Sequence, residues 1–262
     1  MDLNLSGKKA LVCGSSDGIG KAAALELARM GATVTLLARN PQKLETVQKE
    51  LPTPSGQKHD FLVADFDDPI NLESVVASYL GNNNSFAILV NNTGGPPAGK
   101  AYQAEVEEYV RAFKQHLICN QVLVKLLWQG MKEQGYGRIV NVISTSVKVP
   151  LPNLGVSNTV RGAVGNWSKT LANELGEFGI TVNNVLPGAT ETGRLQSIIE
   201  NKSQKTGRSV KEVEGAMAGQ VPLGRFAAPE EVANAIAFLA SPAAAYISGV
   251  NLPVDGGRTP NL

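Results

Sequence analysis

The sequence has few of the residues that build metal sites and disulfide frameworks. It contains only two cysteines, Cys13 and Cys119, and two histidines, His59 and His116, in 262 residues. Neither pair has the spacing of a zinc site or of a redox motif. We therefore expect no bound metal and two unpaired thiols, which a reducing cytoplasm would preserve.

The sequence also lacks a charge excess and a long hydrophobic run. Its 24 basic residues nearly balance its 23 acidic residues, which gives a formal net charge of +1. Such a balance does not favour nucleic acid or an anionic membrane surface as a partner. No apolar run has the length of a membrane span, and the first residues lack the regions of a secretory signal. We expect a cytoplasmic protein that binds a small molecule, with neither a membrane nor a nucleic acid as a partner.

A regular alternation of strand and helix patterns runs through the chain. Apolar runs such as 33–37 and 87–90 are typical of buried parallel strands, and helical periodicity follows them. No linker or repeat divides the chain, so residues 1–262 predict one α/β domain, a doubly wound parallel sheet of the Rossmann type with about seven strands. The predicted strands are 9–13, 33–38, 60–65, 86–91, 138–143, 180–186 and 250–254. After a first helix that stops at Gly31, the predicted helices are 41–51, 69–80, 104–134, 155–177 and 229–240.

A glycine motif occupies the first strand-to-helix turn. Gly14, Gly18 and Gly20 have the spacing G-x-x-x-G-x-G between a predicted strand and a predicted helix. Glycine lets the backbone approach a pyrophosphate closely, and the helix amino terminus attracts its charge. A merely structural turn is the alternative, but the flanking elements favour a dinucleotide site. The residues expected to contact the cofactor here are Gly14, Ser15, Ser16, Gly18, Ile19 and Gly20.

Further motifs follow at matching distances. They are Asp65, Asn91-Asn92-Thr93-Gly94, Gly137 to Asn141 leading to Ser144, Pro187-Gly188 with Thr192, and Val254 to Gly257. With the glycine turn, they make the sequence similar to the short-chain dehydrogenase/reductase family from residue 6 to 257, most of all to its 3-oxoacyl carrier-protein reductases. Thr93 stands where that family usually has alanine.

The resemblance implies contacts for the rest of a nicotinamide cofactor. It places Asp65 at the adenine, Asn91 at the adenosine ribose and Thr192 at the nicotinamide carboxamide, with Gly94, Pro187 and Gly188 also beside the cofactor. It further implies a homotetramer, or failing that a dimer, paired through helices 104–134 and 155–177 and the last strand.

Arg39, at the end of the second predicted strand, bears on the choice of cofactor. An acidic residue there would bind a ribose hydroxyl, whereas a basic residue would pair with the phosphate of NADPH. Arg39 favours NADPH over NADH, with a solvated surface arginine as the alternative.

The catalytic positions depart from the family pattern. Counting from Ser144, the usual tyrosine is replaced by Ser157 and the usual lysine by Arg161, while His116 holds the place of a helix asparagine, with Asn120 one turn later. Ser157 and Arg161 are four residues apart and share one helix face. Arginine can stabilise an oxyanion, but it does not easily release a proton. His116 is either the acid of the pocket or a packed wall residue.

Two functions are compatible with these residues. In the first, the protein is an NADPH-dependent reductase that transfers hydride to a carbonyl or a conjugated enone of a small neutral or anionic substrate. Ser144, Ser157, Arg161 and His116 are then at the reacting centre. The second is a non-catalytic NAD(P)-binding or scaffold protein. Ser144, Ser157, Arg161, Lys148 and Arg194 could all bind an anion or a polar oxygen, which favours an enzyme.

The segment 190–220 departs from the strand and helix rhythm. It is polar, helical in pattern and inserted directly after a strand end. Because it has little apolar content with which to anchor itself, we expect a mobile lid over the substrate.

Overall fold

The computed structural model describes residues 1–81 and 85–261. Within this part of the chain, one parallel sheet has the strand order β3-β2-β1-β4-β5-β6-β7. The strands are β1 (Lys9–Cys13), β2 (Thr33–Ala38), β3 (Asp60–Val63), β4 (Ile88–Asn91), β5 (Gly137–Val142), β6 (Ile180–Pro187) and β7 (Asn251–Val254). The predicted doubly wound fold is confirmed.

Helices cover both faces of this sheet. They are α1 (Gly18–Arg29), α2 (Pro41–Glu50), α3 (Pro69–Leu80), α4 (Val106–Phe113), α5 (Cys119–Glu133), α6 (Gly155–Leu175), α7 (Gly193–Thr206), α8 (Val210–Ala218) and α9 (Pro229–Ala240). Asn40 and Asp68 cap α2 and α3, and each is followed by a proline at the first helical position. These side chains accept hydrogen bonds from free amides of the first turn, and for this reason the sequence marks these helix starts well.

The core forms two layers, one on each face of the sheet. One layer contains Leu27, Ile236 and their neighbours on α1 and α9, and the other contains Leu123, Leu127 and their neighbours on α5. Strand β4 is buried throughout, as apolar runs predict. At the sheet edge, β3 ends at Val63, two residues before the predicted boundary at 65. Both Asp60 and Val63 are exposed there, so one-sided burial weakens the pattern that marks strand ends.

The predicted long helix near 104–134 is confirmed over residues 106–133, and it contains a π-helical turn. This turn, Lys114–Ile118, lies between α4 and α5 and contains His116. A π turn inserts one residue into the helical repeat, and such insertions are frequent at functional sites. Apolar periodicity does not reveal the turn, because the pattern tolerates a single inserted residue.

The segment 190–220 folds into α7 and α8 with a small core of its own. Leu195, Ile199 and Val213 are buried together with Phe226. The expectation that this segment has little apolar content with which to anchor itself was wrong, since three of its residues form a cluster with Phe226, which follows the segment.

The sheet order reverses direction between β1 and β4. These strands are hydrogen-bonded neighbours, and the chain leaves them toward opposite sides of the sheet. A crevice opens at such a switch point, outside the carboxyl ends of the strands. The loops after β1, β4, β5 and β6 therefore meet at one edge. Among the described residues, no helix has both the length and the apolar character needed to cross a membrane.

Candidate active site

The glycine turn after β1 has little room for side chains, and its bare backbone is open to close contact with a ligand. Gly14 has a φ of +59°, and a methyl group on it would lie 2.6 Å from the carbonyl oxygen of Asn92. A methyl group on Gly20 would overlap the carbonyl of Gly14. The backbone is thus closely packed behind the turn, and the amino terminus of α1 faces the crevice. This cradle fits the pyrophosphate of a dinucleotide.

Asp17 closes the amino terminus of α1. Its Oδ1 accepts a hydrogen bond of 2.7 Å from the backbone nitrogen of Gly18. Its Oδ2 lies 3.9 Å from Nζ of Lys43 on α2. Lys43 thereby offsets part of a negative charge that stands near the predicted phosphate site.

The structure brings two predicted cofactor residues together at the other side of the turn. Nη1 of Arg39 lies 3.7 Å from Oδ2 of Asp65, and the Arg39 side chain is 69% exposed. An exposed ion pair of this length is weak, so the guanidinium remains available to a phosphate. Ser16 and Ile19 lie in the same turn and at the start of α1.

The side chains of Ser15 and Asn91 are bound within the scaffold. The hydroxyl of Ser15 accepts a hydrogen bond of 2.9 Å from the backbone nitrogen of Leu37. Nδ2 of Asn91 donates to Oδ1 of Asn141 at 2.8 Å. Ser15 can thus contact a cofactor mainly through its backbone, whereas Asn91 uses only its amide nitrogen in the scaffold.

Asn91 is the first member of a row of asparagines that crosses four strands. Asn141 donates to Asn184 at 3.0 Å, and Asn184 donates to Asn251 at 2.8 Å. Each Nδ2 group donates to the asparagine on the next strand toward β7, so no member of the row donates to Oδ1 of Asn91. This oxygen, at the crevice end of the row, is buried without a hydrogen-bond partner. The row gives that oxygen a fixed orientation.

Arg161 on α6 contacts the end of β5, two residues before Ser144. Ser144 follows the end of β5, and its Oγ accepts a hydrogen bond of 3.1 Å from the nitrogen of Ser146. Ser157 and Arg161 are buried, one turn apart, on α6. Nη1 of Arg161 donates to the carbonyl of Val142 at 2.7 Å, while its Nε has no partner in the described structure. The guanidinium is thus fixed with donor capacity to spare.

His116 is buried in the π turn, and its Nε2 has no hydrogen-bond partner in the described structure. Burial lowers the pKa of His116 to about 2, with help from the positive charges of Arg161 and Arg194, and the backbone of Gly94 opposes the shift only weakly. An imidazole with this pKa is neutral at physiological pH. His116 therefore cannot supply a proton as an imidazolium ion, and the interpretation as a wall residue that can donate one hydrogen bond is favoured.

Among the described residues, His116 and Arg161 line one narrow crevice with Asn91, Asn92, Thr93, Asn120, Val142, Ile143 and Val164. Burial, together with the charge of Arg194, lowers the pKa of Arg161 to about 10, so the guanidinium stays charged at neutral pH. The crevice thus holds a positive charge and hydrogen-bond donors. None of the residues just named is a carboxylic acid, a phenol or a lysine.

The loop at the carboxyl end of β6 lies across from the glycine turn. A methyl group on Gly188 would lie 2.7 Å from Cα of Asp255, so only glycine fits beside this turn. Thr192 caps α7, and its methyl group lies close to Gly18, since a methyl group on that glycine would be 3.1 Å from Cγ2 of Thr192. The start of the segment 190–220 therefore contacts the glycine turn directly.

Sequence reasoning missed two structural roles. Nδ2 of Asn92 lies 3.3 Å from the carbonyls of Cys13 and of Gly14, and so ties the loops on both sides of the switch point together. Arg194, at the start of α7, donates to two carbonyls of the loop after β4 and so joins the two segments.

The asparagine row was also missed, although the sequence carries a signal for it. Asn91, Asn141 and Asn184 each lie at or near the carboxyl end of a predicted strand, whereas Asn251 lies at the start of the last one.

Comparison with known proteins matches this arrangement to one family. The family described as enoyl-(acyl carrier protein) reductase matches residues 14–259. The 3-oxoacyl-[acyl-carrier-protein] reductase FabG of Vibrio cholerae is 35% identical over 257 residues, which cover 97% of this chain and 98% of that protein. The NADPH-dependent reductase BacG of Bacillus subtilis is 29% identical, with 98% and 100% of the two chains covered.

A solved structure agrees over the full length. L-sorbose reductase from Gluconobacter frateurii, complexed with NADPH and L-sorbose, has a TM-score of 0.93 and 32% identity, with 100% of each chain covered. Since the match extends from the first turn to the residues after β7, this chain belongs to the short-chain dehydrogenase/reductase family.

Proposed function

We propose that this protein is an NADPH-dependent reductase that transfers hydride to a conjugated enone, or to a carbonyl, of a small neutral or anionic substrate. The family and its NADPH-dependent relatives support the class of reaction and the cofactor. The observation that carries the proposal is the crevice, which pairs the buried cation Arg161 with hydrogen-bond donors and offers no strong acid among its described residues.

The chain's own residues divide the work of binding. The glycine turn and the amino terminus of α1 hold the pyrophosphate, Arg39 meets the ribose phosphate, and the side of Thr192 and Pro187 holds the nicotinamide. When bound, NADPH supplies the hydride. We assign the substrate oxygen, on which negative charge develops, to Arg161, which lines the crevice. Ser144 and Ser157 do not line the crevice, and we assign their hydroxyls to the same oxygen as additional hydrogen-bond donors.

The absence of an acid bears on which substrate is reduced. Hydride addition to a ketone gives a basic alkoxide, which needs a proton at once, whereas addition to the β-carbon of an enone gives a delocalised enolate. His116 is neutral, and the charge of Arg161 persists at neutral pH, so neither releases a proton readily. An enolate can be held by Arg161 and take its proton from water. The site therefore favours the enone.

The test is NADPH consumption with matched ketones and enones, in the wild type and in Arg161→Ala. We expect faster turnover of the enones and a loss in kcat of about a hundredfold or more in the variant, because an oxyanion contact acts mainly in the transition state. Circular dichroism would check that the variant is folded.

The double variant Ser157→Tyr and Arg161→Lys restores the usual family pair. We expect it to gain no enone activity, because a phenol fills space open in the wild type and lysine lacks the guanidinium fork. If the wild type reduces nothing and the double variant becomes a ketone reductase, the site has decayed and the protein only binds its cofactor. Unchanged turnover in Arg161→Ala would remove Arg161 from the mechanism.

A further inference from the structure

Two guanidinium groups, those of Arg161 and Arg194, lie near His116 and have no acidic partner. Arg161 is buried on α6, and Arg194 reaches the surface at the start of α7. Within the described part of the chain, neither of them forms a salt bridge. Their charges are close enough that Arg194 lowers the pKa of Arg161, and both lower the pKa of His116. Uncompensated positive charge of this kind favours an anionic ligand.

Arg194 is held in place by neutral groups only. Its Nη1 donates to the carbonyl of Gly95 at 2.9 Å, and its Nη2 donates to the carbonyl of Pro96 at 2.7 Å. A methyl group on Gly95 would lie 3.1 Å from Cζ of Arg194, so the guanidinium packs flat against this glycine. These two bonds use two of the five N–H groups of an arginine. The remaining donors are fixed in direction and unassigned.

Arg161 is buried and Arg194 is exposed, and this difference determines how a ligand with two polar groups would be oriented. Arg161 lines the crevice beside His116, whereas Arg194 lies outside it and donates to the carbonyl of Gly95, two residues after the crevice residue Thr93. A substrate oxygen that gains charge during the reaction belongs at Arg161. A group that is already charged before the reaction meets the accessible Arg194 first.

We infer that Arg194 binds a carboxylate of the substrate, so that the protein acts on enones or carbonyl compounds that are carboxylic acids. The inference rests on the proposed function and adds the substrate class and a specificity-determining residue. A planar carboxylate matches the remaining fork of a guanidinium, and charge-assisted bonds of this type are about twice as strong as neutral ones. Because Arg194 belongs to α7, the carboxylate also ties the lid to the loop after β4.

The test compares benzylidenepyruvate, an enone acid, with its neutral amide in NADPH-dependent turnover. We expect the wild type to have a KM for the acid at least about tenfold below that for the amide. Arg194→Gln should raise the KM for the acid by about ten- to a hundredfold, leave kcat within about twofold, and leave both constants for the amide unchanged. Arg194→Lys should recover part of the lost affinity, because it restores the charge without the fork.

Arg208→Gln is the matched control. Arg208 lies in the same segment, its Nη2 donates to the carbonyl of Glu212 at 3.3 Å, and its removal changes the net charge equally. It should leave the KM for both compounds unchanged. Equal KM values for acid and amide in the wild type, or an unchanged KM for the acid in Arg194→Gln, would overturn the inference while the reductase stands.

A binding measurement separates the two proposals. Calorimetry with the NADP⁺-loaded protein should detect benzylidenepyruvate in the wild type and lose the signal in Arg194→Gln, whether or not the compound is reduced. Binding without turnover of any enone or ketone would support the role of Arg194 and refute the reductase. If the loaded wild type does not bind the acid, the assignment of Arg194 is wrong.

Discussion

Single residues at the crevice have roles that depend on their surroundings more than on their type. Arg39 and Arg161 are both arginines, but one is exposed beside a carboxylate and the other is buried without one. The first is suited to exchange its partner for a phosphate. Arg161 is suited to stabilise negative charge that develops on a substrate during a reaction.

Arg39 should determine the preference for NADPH. In Arg39→Asp we expect the preference over NADH to narrow or reverse, because the phosphate loses a charge-assisted contact that contributes about 1.5 to 3 kcal/mol. Calorimetry with both cofactors measures this. Arg29→Asp, at the far end of α1, serves as a control for added negative charge. Equal affinity of the wild type for the two cofactors would contradict the role of Arg39.

His116 should make the protein less stable in acid. Its pKa in the folded protein is about 2 against a normal value of 6.5, so below pH 6.5 the unfolded chain takes up a proton that the folded one does not. Stability from this group is complete above that pH and declines as pH falls toward 2, by at most about 1.4 kcal/mol per pH unit.

Urea denaturation from pH 7 to pH 4 measures this slope. His116→Gln should have a shallower slope than the wild type, whereas His59→Gln should keep the contribution of His116. His59 is suited as a control, because it lies at the other end of the sheet, bonded to Val34 and Pro52. Identical slopes in wild type and His116→Gln would show that the imidazole is not held neutral.

At the scale of elements, strands and capped helices could be predicted from the sequence, but the π turn and the small core of α7 and α8 could not. The starts of α2 and α3 coincide with Asn-Pro and Asp-Pro pairs, which act locally. The π turn and the lid core depend on distant neighbours. For example, Phe226 completes the cluster of α7 and α8 from outside the helical segment.

The lid should open as one unit, because α7 and α8 share a single small core. We expect faster hydrogen exchange in α7 and α8 than in β5 in the free protein, and slower exchange in both helices with cofactor and substrate bound. Val213→Ala should speed exchange in both helices together and leave α6 unchanged, since it removes about 2 kcal/mol of burial from their common core. Strong protection of the free lid would contradict its mobility.

At the scale of the whole molecule, one apolar strip lies uncovered. Val106, Val110 and Phe113 on α4 and Ile118 in the π turn are 69%, 58%, 41% and 39% exposed. The same stretch belongs to the helix that the family resemblance places in a subunit interface. A homotetramer, or a dimer, stays our prediction for this protein.

Light scattering tests this assembly. We expect the wild type to have the mass of a tetramer and the double variant Val110→Glu and Phe113→Glu to form smaller species, because charge in an apolar interface is costly. Ile70→Glu on α3 is the control, since Ile70 is 81% exposed outside the strip. A wild type that is monomeric at micromolar concentration would contradict the predicted assembly.

The sequence by itself determined the fold, the glycine turn and the substitutions at Ser157, Arg161 and His116, because each is a matter of spacing and local backbone preference. Only the tertiary structure decided what those residues can do. It placed His116 in a π turn beneath two arginines, where burial keeps the imidazole neutral. It directed the side chain of Asn91 into a row across four strands, and it set Arg194 against Gly95. Protonation state, orientation and the sign of an unpaired charge depend on neighbours that are far apart in the chain, and these neighbours meet only when the sheet is assembled.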